Sequence, residues 1–117
     1  MPPTNNGVEL DTVHDAYQSL YNALTSAYWA ASTIENKDQI HGVMDVVFDV
    51  ITELNRESLE ADSDEFKTLA TNLKNANDQL TSLKAQINQL VAAVKIATQV
   101  ASAIDEAMSL AAKYFGL

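Results

Sequence analysis

Cysteine is missing from this 117-residue chain, which excludes disulfides, thiolate nucleophiles and cysteine-based metal sites. Both prolines stand at positions 2 and 3, so from Thr4 to Leu117 none interrupts a helix. The three glycines, Gly7, Gly42 and Gly116, are isolated, and no phosphate-cradling loop can be built from them. Basic residues are scarce: 7 Lys and Arg against 16 Asp and Glu leave a formal net charge of -9. Such an excess argues against nucleic acid or an anionic membrane as partner, because both are polyanions, and permits a basic protein. Apolar runs such as Leu90 to Val94 fall far short of the ~20 residues of a membrane span. The opening Met-Pro-Pro-Thr-Asn-Asn-Gly lacks the basic and apolar regions of a signal peptide, so the expected location is cytoplasmic.

What the chain does contain is helical periodicity. From Phe66 to Phe115, alternating steps of three and four meet Leu69, Leu73, Ala76, Leu80, Leu83, Ile87, Leu90, Val94, Ala97, Ala101, Ile104, Met108 and Ala111. A repeat of 3.5 residues keeps one stripe facing a neighbouring helix and is the coiled-coil signature. A second seam runs through Leu10, Val13, Tyr17, Leu20, Leu24, Ala27, Ala31 and Ile34, with Tyr21, Tyr28 and Trp29 widening it. A third, broader face comprises Ile40, Val43, Met44, Val47, Phe48, Val50, Ile51 and Leu54. Gly42 is expected to allow close helix approach there.

The expected fold is therefore all-α, an antiparallel helical bundle with coiled-coil-like heptad packing. A flexible arm over residues 1–8 precedes one helical domain over 9–117, with helices over about 9–35, 38–60 and 63–115. Asn6 to Glu9 and Asp62 to Glu65 have capping-box spacing, Asn36 is placed to stop the first helix and cap the second, and Gly116 suits a C-cap. The unbroken register after residue 63 predicts one long C-terminal helix of about 80 Å. The alternative is a split near residues 85–89 that would give a four-helix bundle. After Ile87 a second apolar stripe appears, Ile96, Val100, Ala103, Ala107, Leu110 and Tyr114. A continuous helix with two apolar faces would need another copy of the chain to cover it, so a homo-oligomer is expected.

Candidate chemistry is sparse. Asp11-Thr-Val-His14 and Asp38-Gln-Ile-His41 each place a carboxylate and an imidazole on one helical face, a spacing also used in di-iron bundles. Those bundles need further inward-facing glutamates, whereas the acids here avoid the seams. No catalytic, cofactor or metal site is therefore expected. Acidity is concentrated: residues 1–65 hold 13 acids against Lys37 and Arg56, and residues 66–117 hold Asp78, Asp105 and Glu106 against five lysines. Asp38, Asp45, Asp49, Glu53, Glu57 and Glu60 line one side of the second helix. Together with Tyr21, Tyr28 and Trp29, whose side chains suit binding hot spots, they are the candidate partner-binding residues. The leading expectation is a non-enzymatic acidic interaction protein, an adaptor, chaperone or antitoxin- or immunity-type inhibitor that masks a basic surface. The alternative is a secreted or membrane-active protein whose apolar C-terminal helix inserts or oligomerises, and a small-molecule binder ranks third.

Overall fold

A computed structural model describes residues 10–54 and 64–116, which form four helices packed on one another: α1 (Leu10–Ala30), α2 (Ile34–Leu54), α3 (Asp64–Leu90) and α4 (Val94–Phe115). The arm at residues 1–8, the Asn6–Glu9 box, Asp62 and the acids Glu57 and Glu60 lie outside the described residues. The reversals at residues 31–33 and 91–93 meet at one end. There Ala31 and Val91 form an antiparallel bridge, and the Ser32 N–H donates to the Leu90 carbonyl at 3.2 Å. Helices α1 and α3 thus run toward this end while α2 and α4 run away from it. Each helix packs on its neighbours in sequence, and α1 also packs on α4, closing the ring. The result is a rod of 45 × 22 × 20 Å.

The seams form the core. Val13, Tyr17, Leu20, Leu24 and Ala27 of α1 are buried, as are Leu69, Leu73, Ala76, Leu80, Leu83, Ile87 and Leu90 of α3. All of the expected α2 face is buried except Phe48, which is 56% exposed. Burial of apolar area at about 25 cal/mol per Å² drives this packing, since no single helix here has a reason to form alone. At the end opposite the two reversals, Phe66, Tyr114 and Phe115 pack ring on ring, with centroids 5.0 Å and 4.8 Å apart.

The long C-terminal helix does not exist. It breaks at 91–93, after the 85–89 stretch, which is helical. No Gly or Pro makes this turn. Ala93 simply adopts an extended conformation, φ -73° and ψ 101°, with no side-chain cap. What holds the reversal is its neighbour: the Leu90 carbonyl accepts from both the Ser32 N–H and Asn36 Nδ2, the latter at 3.4 Å. The continuous register would have buried Val94, yet it is 72% exposed. The buried row of α4 is Ala97, Val100, Ile104, Ala107, Ala111, Tyr114 and Phe115, drawn from both expected stripes. Helices α1 and α3 of the same chain flank α4, so the argument that a second copy must cover it loses its premise.

Three local expectations also change. Helix α1 ends at Ala30 rather than near residue 35, and Ile34 is exposed at the start of α2 instead of closing the α1 seam. Thr33, not Asn36, caps α2: its Oγ1 accepts from the Asn36 N–H at 3.0 Å, the geometry of an N-cap bonding the third helical residue. Gly42 does not serve close approach, because a Cβ built there meets nothing within 4 Å. Gly116 is a C-cap as expected, left-handed at φ 71°, with its N–H donating to the Ala112 carbonyl at 2.9 Å.

Candidate functional site

The α1–α2 face gathers most of the candidate residues. Helix α2 buries one side, which leaves Asp38, Asp45 and Asp49 exposed on its outer side, with Glu53 half-buried one turn further on. Among the described residues no lysine of α3 pairs with Asp38, Asp45 or Asp49, and His41 Nδ1 lies 3.5 Å from the Asp45 carboxylate. Counting helices by layer, α1 and α2 hold seven acids against Lys37, whereas five acids and five lysines cancel in α3 and α4. The negative field therefore belongs to one side of the rod.

Beside the acidic row lies an aromatic one. Tyr21 and Tyr28 are half-buried on α1 and lean toward α2, where Tyr21 meets Phe48 at 6.1 Å and Tyr28 meets His41 at 6.0 Å between ring centroids. Trp29 does not widen the core as its position in the seam suggested. It is 73% exposed and stands edge-on to Tyr28 at 5.2 Å. The Lys37 ammonium lies 5.0 Å above Tyr28 and 5.4 Å above Trp29, and donates to the Tyr28 carbonyl at 2.9 Å. It thus satisfies a carbonyl at the negative end of α1 while using the electron-rich ring faces. Phe48, His41, Ile34 and Lys37 were missed as members of this face. The signal was present, since Ile34, His41 and Phe48 recur every seven residues, but two of the three were assigned to buried faces.

The other candidates resolve less. His14 lies 3.3 Å from its neighbour Asp15, and no group of three His, Asp or Glu side chains among the described residues could hold a metal ion. No helix of the described residues is long and apolar enough to cross a membrane. A groove of about 500 Å³ lies between α3 and α4 and is lined by Lys74, Asn77, Asp78, Met108, Ala112 and Gly116. Asn77 is occupied there, because its Oδ1 accepts from the buried Tyr17 hydroxyl of α1 at 2.7 Å. Burial pushes the Tyr17 hydroxyl well above the usual tyrosine value of 10. It is a diagonal tie through the bundle rather than a reactive group.

These features define a four-helix bundle whose net negative charge is concentrated on its α1–α2 side. Comparison with family models, curated proteins and solved structures finds no match to this chain.

Proposed function

We propose that the chain is a non-enzymatic interaction protein, cytoplasmic in location, that docks and masks a basic surface of a protein partner through its α1–α2 face. An adaptor, a chaperone and an antitoxin- or immunity-type inhibitor all share this chemistry. The observation that carries the reading is the juxtaposition of Asp38, Asp45 and Asp49 with exposed Trp29 and Phe48. Carboxylates steer a basic partner and set its orientation, while exposed aromatic side chains supply the desolvated anchors that hold it. Neither feature is needed by the fold: the acids sit on solvent and the two rings remain largely uncovered.

The test is capture from an extract of the source organism, eluted with rising salt, using the native chain beside an Asp45→Lys, Asp49→Lys variant. Both acids are exposed, so the variant should fold as the parent does by circular dichroism. A stoichiometric basic protein released by salt from the parent, and bound about tenfold more weakly by the variant, is the expected result. Equal retention by both chains would overturn the assignment to this face.

A further inference from the structure

We propose that this face recognises the form of its partner as well as its charge, seating an amphipathic helix with one apolar residue per heptad and Lys or Arg along one flank. The inference rests on the docking reading above and narrows it. Its basis is periodicity. Along α2, Ile34, His41 and Phe48 recur every seven residues, all three exposed, while Asp38 and Asp45 recur at the same interval on the neighbouring stripe. Facing them, Tyr28 and Tyr21 of α1 recur every seven residues and meet His41 and Phe48.

Two aromatic rungs therefore stand one heptad apart, about 10.5 Å along the rod at 1.5 Å per residue. A helix laid along this face advances by that same distance every seven residues, so one apolar side chain per heptad meets each rung. Basic residues on its flank then face Asp38 and Asp45, as charged positions beside a heptad seam do in paired helices. An extended strand advances about 23 Å in seven residues and would not keep this step.

Charge selects among possible occupants. A second copy presenting the same face would bring two acidic layers together, and nucleic acid or an anionic bilayer would meet the same repulsion. A cation is already accommodated here, since the Lys37 ammonium lies over both Tyr28 and Trp29.

The experiment uses the full chain and three tryptophan-free peptides about four heptads long. The first carries heptad-spaced Leu with a Lys flank. The second has the same composition with the spacing scrambled, and the third has Glu in place of Lys. Trp29, the single tryptophan, reports binding through its emission, and calorimetry gives affinity. The first peptide should bind and shift Trp29 emission, the scrambled one should bind about tenfold more weakly, and the Glu peptide should not bind. Phe48→Ala and Ile34→Ala should each weaken the first peptide about fivefold or more with the circular dichroism unchanged, whereas Asp78→Lys on α3 should not. Equal binding of the two basic peptides would overturn helix recognition and leave charge-based docking standing. Failure of both peptides, with a salt-released partner still captured from extract, would also overturn it. Failure of the peptides and of the capture would remove both readings.

Discussion

Replacing Tyr17 by Phe should destabilise the bundle at neutral pH and stabilise it at strongly alkaline pH. Tyr17 is fully buried, and its hydroxyl donates to Asn77 Oδ1 at 2.7 Å. Losing that bond costs about 1 kcal/mol, toward the low side because Asn77 is only half-buried and can take water instead. Alkali acts through the proton. An unfolded tyrosine ionises near 10, whereas the buried hydroxyl holds its proton to higher pH. Above pH 10 the native state therefore binds more protons than the unfolded state, so stability falls as pH rises; below pH 10 the contribution is intact. One retained proton is worth about 1.4 kcal/mol at pH 11. The deficit of Tyr17→Phe, about 1 kcal/mol at pH 7, should thus shrink through pH 10 and change sign near pH 11. Tyr114, which burial shifts in the same direction, is common to both chains and cancels. Urea unfolding followed by far-UV circular dichroism between pH 7 and 11 measures the difference directly. A deficit at pH 11 equal to that at pH 7 would refute the burial of this hydroxyl. A double-mutant cycle with Asn77→Ala should give a coupling of about 1 kcal/mol, and additivity would refute the hydrogen bond.

Two smaller perturbations test the local geometry of α2. Gly42→Ala should raise stability by about 0.5–1 kcal/mol, because the new methyl meets open space and the helix gains propensity; a loss in chemical denaturation would show that the space beside Gly42 is tighter than described. Thr33→Ala should cost about 1 kcal/mol through the lost N-cap, while Thr33→Ser should recover most of it, and an unchanged midpoint for the alanine variant would return the capping role to Asn36.

The helical class and most of the core were legible because burial and the 3.5-residue step are the same fact seen from two sides. Val13 to Ala27 and Leu69 to Leu90 are apolar at that spacing because each must face a neighbour. The reversal at 91–93 was not legible, for a different reason. Val91, Ala92 and Ala93 are residues that any helix accepts, and nothing local opposes its continuation. The turn is stabilised from outside, by Ser32 and Asn36 reaching the Leu90 carbonyl from more than fifty positions away in the chain. A signal of that kind exists only once the two hairpins have met. The same limit hid Lys37, whose ring and carbonyl partners lie across the first reversal.

The acidic row was readable because solvated charges repeat with the helix, but its meaning depends on what stands beside it. Acids along one side of a helix are unremarkable if lysines of the next helix answer them. In the bundle the lysine of α3 that engages an acid across a helix boundary, Lys84, turns to Asp105 of α4, at 2.6 Å. Asp38, Asp45 and Asp49 are left facing water beside rings that the core does not use. An exposed ion pair such as Lys84–Asp105 contributes little to stability, so moving it would cost the fold little. A lysine placed on α3 to answer Asp49, for example Asn72→Lys or Asn75→Lys across the groove that these residues share, should therefore leave unfolding almost unchanged. It should nonetheless weaken docking of a basic partner by partly neutralising the row. A variant that binds the partner as well as the parent does would mean that Asp49 adds nothing to recognition.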